Sequence, residues 1–122
     1  MPEHSSVKVF REVFRRVLLS SLGESAGEAA LFFLRRSLGC DPFEVFWDNP
    51  GGFYRELEKI FGVGTKVLIR LLASRINSEL GLNIDPERFL ELMRSEDRRS
   101  AEEIRSLIMK IAELYEGKRE SL

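Results

Sequence analysis

The sequence has one cysteine, one histidine and no glutamine, and it has no long apolar run. The single cysteine, Cys40, excludes an intrachain disulfide and is typical of a reducing compartment. The single histidine, His4, lies in an N-terminal segment that we expect to be mobile, which disfavours a histidine-based triad or metal site. No apolar run approaches the ~20 residues that a transmembrane helix needs, and the first residues lack the apolar stretch of a signal peptide. We therefore expect a cytoplasmic protein that does not contact a membrane.

A surplus of charge of either sign is also absent. The net charge is −1, from 19 basic and 20 acidic residues. A dedicated nucleic-acid binder usually carries a basic surplus, because neutralising phosphates supplies most of its non-specific affinity. Arginine outnumbers lysine 14 to 5, and together with the lack of glutamine this indicates a heat-adapted, thermostable protein.

Apolar residues recur at helical spacing in six or seven segments, and no segment alternates with the period of two that a strand would show. The length of 122 residues is that of one domain. We predict a single all-α domain, a compact irregular or orthogonal bundle of six to seven short helices. Residues 83–116 are expected to form the C-terminal helices, and residues 117–122 a mobile tail. Helices are predicted at about 6–22, 25–38, 42–47, 53–61, 65–80, 86–94 and 101–116.

The helix predicted at 65–80 is expected to be central and buried, because apolar residues occupy most of its circumference. Asp-Pro pairs at 41–42 and 85–86 are typical helix starts, with an N-cap followed by proline at the first helical position. The capping box at 100–103 is expected to begin the last helix. The segment 48–52 is expected to be a break. The second helix is expected to bury one set of apolar residues, Ala26, Ala29, Ala30, Phe33 and Leu34.

The glycine turn before the central helix is the first candidate site. Free N–H groups at a helix N-terminus and a nearby lysine can bind an anion, so Gly64, Thr65 and Lys66 are candidate contacts. Arg70 and Arg75 extend them into a basic strip that could contact nucleic acid. A P-loop is excluded because Thr65 precedes Lys66 and no strand leads into the turn. The favoured interpretation is a structural turn, with the basic side chains in solvent or paired with acids of other helices.

Half of the twelve aromatic residues lie between residues 43 and 61. Large aromatic side chains usually fill cores, which is the favoured interpretation. On short helices beside a glycine break they can instead line a groove for a partner helix or an apolar ligand. The residues of this candidate groove are Phe43, Phe46, Trp47, Phe53 and Tyr54.

The sequence contains no recognisable catalytic constellation. No nucleophile, base and oxyanion donors occur in a pattern that a known reaction needs. The many carboxylates lack the Glu-x-x-His spacing of a carboxylate-bridged metal site. We therefore predict that the chain is not an enzyme, and we assign no catalytic, cofactor-binding or metal-binding residue.

Four segments between residues 24 and 82 carry a family resemblance. They are AALFFL at 29–34, DPFE at 41–44, DNPGGF at 48–53 and IFGVGTKVL at 60–68. Together they resemble a small archaeal helical domain of NitrOD type, a family of output domains in signalling or regulatory proteins. That family has alanine where this chain has Thr65, a departure that leaves the turn unchanged. The resemblance implies an archaeal, cytosolic, regulatory domain and transfers no catalytic residue.

The sequence therefore favours a non-enzymatic interaction or regulatory module that binds another protein or a second copy of itself as a homodimer. The amphipathic terminal helices, 6–22 and 101–116, are the candidate contact surfaces. One alternative is nucleic-acid or transcription-associated binding through the basic strip. The other alternative is a small-molecule sensor that uses the aromatic segment. No cofactor is expected in any of these interpretations.

Overall fold

The computed structural model describes the backbone of residues 2–120 and the side chains of residues 5–118. The side chain of His4 and the end of the predicted tail, 121–122, lie outside that part. Within it the chain forms seven helices and no strand, with 87% of residues helical, so the all-α prediction is confirmed. The helices are α1 (Pro2–Leu22), α2 (Glu24–Leu38), α3 (Pro42–Asp48), α4 (Pro50–Phe61), α5 (Gly64–Leu80), α6 (Pro86–Arg94) and α7 (Arg98–Glu120).

Three helices begin with the same local device. The side chains of Asp41, Asn49 and Asp85 each accept a hydrogen bond from a backbone N–H in the first turn, at 3.0 to 3.1 Å. A proline follows each cap at the first helical position, where its missing N–H costs nothing. The predicted break before the fourth helix is therefore wrong. Because Asn49 is a cap, α4 begins at Pro50 and its two glycines are helical.

The last helix also begins earlier than predicted. The carboxylate of Asp97 accepts a bond from the N–H of Arg99 at 3.3 Å, and its C=O accepts one from the N–H of Ala101 at 3.1 Å. The capping box predicted at Ser100 is wrong, because Ser100 already lies inside the first turn. At its other end the helix continues through 117–120, so this part of the predicted tail is helical.

Two helices share the centre of the bundle. The predicted central helix, α5, packs against α1, α4, α6 and α7, and it buries Leu68, Ile69, Leu72 and Ile76. One side of α5 remains open, since Val67 is 62% exposed. The first helix, α1, packs against α2, α3, α5 and α7 and is just as central.

The apolar stripes of the terminal helices face the interior. The prediction that these stripes are contact surfaces is therefore wrong, since a buried stripe cannot meet a partner. In α1 the buried residues include Phe10, Phe14, Val17 and Leu18, and in α7 they include Ile104, Ile108 and Ile111.

Phenylalanines of three helices fill the space between α1, α3 and α4. Their ring centroids lie 4.9 to 6.4 Å apart, mostly in edge-to-face or tilted arrangements. Such pairs add about 0.5–1.5 kcal/mol each beyond the burial of their area. The cluster consists of Phe10 and Phe14 of α1, Phe43 and Phe46 of α3, and Phe53 of α4.

The second helix lies on the outside of the bundle and packs mainly against α1, α3 and α4. It buries Gly27, Ala30 and Leu34. Gly27 is close to α1, and a Cβ atom added there would lie 2.6 Å from Cδ2 of Leu19. Because that spacing leaves no room for a side chain, Gly27 fixes which face of α2 turns inward.

Candidate functional site

The outward side of α2 exposes aromatic side chains. Phe32 and Phe33 are 60% and 56% exposed, whereas the other ten aromatic side chains, all within residues 5–118, are buried or half-buried. Their rings contact each other edge to face, with centroids 5.8 Å apart. Ala26 and Ala29 are exposed at helical spacing on the same side. We call this surface the α2 outer face and define it by Ala26, Ala29, Phe32 and Phe33.

Charges of opposite sign lie at the two ends of α2, but only Arg36 lies on the α2 outer face. Glu24 is nine positions from Phe33 and Arg35 is nine positions from Ala26, which places both on the other side of the helix at 100° per residue. Glu24 is in the first turn of the helix, and Arg35 and Arg36 are in the last turn. None of the three forms an ion pair with another residue in the described part of the chain. Glu28, by contrast, is paired with Arg15 of α1. The signs suit the positive N-terminal and negative C-terminal ends of the helix, and Arg36 is the charge that a partner of the α2 outer face would meet.

The prediction that α2 buries Ala26, Ala29 and Phe33 is wrong. The helix carries two apolar stripes, and the one that contains Gly27 and Leu34 faces inward. Since only the stripe with a glycine permits the close approach to α1, the other stripe is left in solvent. The signal available in the sequence was the presence of two stripes on one short helix.

At the glycine turn, which was predicted to bind an anion, the central residue Thr65 instead stabilises the turn itself. Thr65 is fully buried, and its hydroxyl donates a hydrogen bond to the C=O of Gly62 at 2.8 Å. This bond holds the turn together and keeps the hydroxyl away from any ligand. Gly64 begins α5, whose N-terminus has no side-chain cap. Thr65 is therefore not an anion contact.

The predicted basic strip is not continuous. Arg70 pairs with Glu87 of α6 through two hydrogen bonds. Lys66 and Arg75 are exposed. They lie nine positions apart, which places them on opposite sides of α5 at 100° per residue. The strip therefore cannot form one binding surface.

The predicted aromatic groove does not exist either. Four of its five residues are at most 5% exposed, and phenylalanines of α1 pack onto three of these four. Trp47 is half-buried, and the guanidinium of Arg105 lies 5.8 Å from its ring centroid. The Arg105 Nε also donates a hydrogen bond to the C=O of Trp47 at 2.8 Å. Trp47 therefore connects α3 to α7. The buried residues are Phe43, Phe46, Phe53 and Tyr54.

A second exposed feature lies at the α4–α5 turn. Val63 at its tip is 94% exposed. Next to it is a groove of about 650 Å³ in which Lys66 and Arg94 have no ion-pair partner among the described residues, whereas Lys59 is paired with Glu56. The whole lining is Arg55, Glu58, Lys59, Gly62, Val63, Lys66 and Arg94.

Two other grooves line the first helix. One, of about 440 Å³, lies between α1, α2 and α3, and the charges of Arg11 and Arg15 in it are already paired, with Asp41 and Glu28. The other, of about 780 Å³, lies between α1 and α7 beside the half-exposed Met109. The charged side chains that line this second groove are Lys8, Glu12, Glu113 and Glu116.

Metal ligands do not cluster in the described part of the chain, where no three histidine, cysteine or acidic side chains lie close enough to hold an ion. Cys40 is exposed at the turn between α2 and α3. None of the helices within residues 2–120 combines the length and apolarity that crossing a membrane requires.

A comparison of the chain with protein-family models, with curated proteins and with solved structures finds no match in any of the three. The resemblance of residues 24–82 to the NitrOD-type domain therefore stays a prediction.

Proposed function

We propose that the protein is a non-enzymatic protein-interaction module whose contact surface is the α2 outer face. The observation that carries this proposal is the exposed pair Phe32 and Phe33. Full burial of one such side chain is worth about 1.5–3 kcal/mol, so two adjacent exposed rings offer a partner a large gain. Aromatic residues are also enriched among those that dominate interface energies.

The surroundings of the pair support this role. The opposite side of α2 is held against α1 by Gly27 and Leu34, so the rings are presented on a supported helix. Little ordering entropy is then lost when a partner binds. Arg36 lies on the same side of α2 and supplies a charged group at the C-terminal end of this apolar surface.

The resemblance to NitrOD-type domains supports a regulatory form of this module. The segment AALFFL, which contains the exposed pair, is one of the segments that carry the resemblance. A regulatory domain acts by binding another component, and the α2 outer face offers the surface for it. A cytoplasmic setting in a heat-adapted archaeon belongs to the same proposal: the composition supports the heat adaptation and the reducing compartment, and the resemblance implies the archaeal origin.

Site-specific photo-crosslinking in the native host tests the proposal. A benzophenone amino acid in place of Phe33 is expected to give discrete protein adducts on irradiation. The matched control places the same group at Val67, which has similar exposure on α5, and it is expected to give none of these adducts. Absence of adducts at position 33, or the same adducts at both positions, would reject the α2 outer face as the contact surface.

A second candidate is nucleic-acid binding at the α4–α5 turn. It is favoured by Lys66 and Arg94, which lie beside the uncapped N-terminus of α5 without ion-pair partners among the described residues. Both charges could neutralise phosphates, whereas Arg75 lies on the other side of α5. Binding to a labelled duplex should then weaken with salt, and it should weaken further in Lys66→Glu and Arg94→Glu but not in Arg75→Glu. No binding at low salt would reject this candidate.

A further inference from the structure

We infer that the groove between α1, α2 and α3 is a binding site for a small organic acid that joins one carboxylate to an apolar body. Its volume of about 440 Å³ lies within the roughly 300–1,000 Å³ that is usual for small-molecule sites. It is separate from the α2 outer face, because Leu31, which lines it, is two positions from Phe33 and so lies on the opposite side of α2 at 100° per residue. We call it the arginine groove and define it by Arg11 and Arg15 of α1 and Arg35 of α2.

The two acids that pair with these arginines are fully engaged. One carboxylate oxygen of Asp41 accepts a hydrogen bond from the backbone N–H of Phe43, and the other pairs with Arg11. Both carboxylate oxygens of Glu28 accept hydrogen bonds from Arg15. Every oxygen of the two acids therefore already has a partner.

Arg35 is the arginine of the groove that has no ion-pair partner within the described part of the chain. Three guanidinium groups against two carboxylates leave one positive charge uncompensated. A guanidinium presents its N–H groups as a fork that matches the two oxygens of a carboxylate. A single uncompensated charge with this geometry favours a carboxylate, which carries one negative charge, over a phosphate dianion.

The other two arginines form a supported wall of the groove. The guanidinium of Arg11 lies 5.8 Å from the ring centroid of Phe43, and its ion pair with Asp41 holds it there. Little side-chain freedom remains to be lost when a ligand binds. A guanidinium also has more N–H donors than these ion pairs use, so Arg11 and Arg15 can donate to the same carboxylate as Arg35.

Apolar side chains form the rest of the wall. Leu31 of α2 is half-buried, and Pro42 and Phe43 of α3 are buried, so the protein core supports all three. An apolar body attached to the carboxylate would cover these side chains and remove them from water, which favours binding. Apolar lining with a few placed charges is typical of small-molecule sites. The ligand class that fits is therefore an aromatic or aliphatic carboxylic acid.

Titration of the purified full chain with phenylacetate, followed by amide NMR, tests the site. We expect a dissociation constant of about 1 mM and shifts centred on Leu31, Arg35 and Phe43. Phenylacetamide has the same shape without the charge and is expected to bind about tenfold more weakly or not at all. No shifts with phenylacetate up to about 20 mM, shifts centred elsewhere, or equal binding of the amide would overturn the inference.

Arg35→Ala and Arg36→Ala are matched variants for the same titration. Both arginines are exposed in the last turn of α2 and have no ion-pair partner among the described residues, but only Arg35 lines the groove. We expect Arg35→Ala to weaken the binding of phenylacetate about tenfold and Arg36→Ala to weaken it less than about twofold. Dispersed spectra show that both variants are folded. Equal weakening would mean that the end of α2 attracts the anion without the groove, and would overturn the inference.

Two further ligands distinguish other sources of the anion. Phenyl phosphate carries a dianion on the same ring, and the α-amide of N-acetylglutamate carries the carboxylate of a protein side chain without the apolar body. Both are expected to bind at least about fivefold more weakly than phenylacetate. Tighter binding of phenyl phosphate would assign the groove to a phosphorylated ligand, and tighter binding of the glutamate derivative would assign it to an acidic side chain of a partner protein. Either result overturns the assignment to a small organic acid.

Discussion

The buried hydroxyls of Thr65 and Tyr54 differ in whether they have a hydrogen-bond partner. Thr65 satisfies its hydroxyl with the C=O of Gly62, whereas the buried hydroxyl of Tyr54 has no hydrogen-bond partner within the described part of the chain. Burial, followed by the nearby Glu58, raises the pKa of Tyr54 above its ordinary value of 10.0. Leaving a buried hydroxyl unpaired costs about 1–3 kcal/mol.

Removal of the Tyr54 hydroxyl should therefore not destabilise the protein. We expect Tyr54→Phe to leave the free energy of unfolding unchanged or to raise it by up to about 1 kcal/mol in urea denaturation. The control is Thr65→Val, which removes a paired hydroxyl and should lower it by about 1 kcal/mol. A loss of more than about 1 kcal/mol in Tyr54→Phe would show that its hydroxyl has a partner.

Glu56 makes the attachment of α2 to α4 sensitive to pH. The Ser37 hydroxyl donates a hydrogen bond to the Glu56 carboxylate, and the Lys59 ammonium donates another at 2.9 Å. These two bonds, of which the one from Ser37 has the larger effect, hold the pKa of Glu56 below its ordinary value of 4.5. The charged form is thus favoured in the folded state. The resulting stabilisation is present above pH 4.5 and is lost as the pH falls through the lowered pKa.

Substitution of Ser37 should reverse this effect. We expect Ser37→Ala to raise the pKa of Glu56 towards 4.5, as followed by NMR of its carboxyl carbon. Lys59→Ala is the comparison and should raise the pKa less, because the serine bond is the larger cause. An unchanged pKa in Ser37→Ala would mean that the hydrogen bond does not form in solution.

At the scale of helices, local signals were sufficient where the cause was local. Asp41 and Asp85 cap helices as predicted, because a cap and its proline act within one turn. Asn49 was missed as a cap because two glycines follow Pro50, and such a sequence is typical of loops. In the structure Gly51 is buried in the first turn of α4, beside the side chain of Glu96.

A substitution of Gly27 tests whether the side of α2 that carries this residue packs closely against α1. A Cβ atom at this position would meet both the side chain and the backbone of Leu19, so Gly27→Ala should force α1 and α2 apart. We expect a loss of about 1–3 kcal/mol in the free energy of unfolding from chemical denaturation. Gly117→Ala is the matched control within α7, where an added Cβ atom would have no neighbouring atom within 4 Å, and it should be neutral or stabilising by up to about 1 kcal/mol. Equal effects of the two substitutions would contradict the close approach.

At the scale of the whole molecule, periodicity predicted the class of fold but not which apolar stripe stays exposed. The all-α bundle follows from seven segments of helical spacing. The exposure of Phe32 and Phe33 depends instead on how α2 packs beside α3, α5 and α7 around α1, and no window of sequence contains that information. The same reason explains why Phe43 and Phe53 are core residues and do not line a groove.

The most direct measurement is photo-crosslinking along α2 in the native host. If the α2 outer face is the contact surface, a benzophenone amino acid in place of Phe32 or Phe33 should give discrete protein adducts. The same group in place of Val67, which is similarly exposed on α5, should give none of them. No adducts at either aromatic position, or the same adducts at Val67, would contradict binding through the α2 outer face.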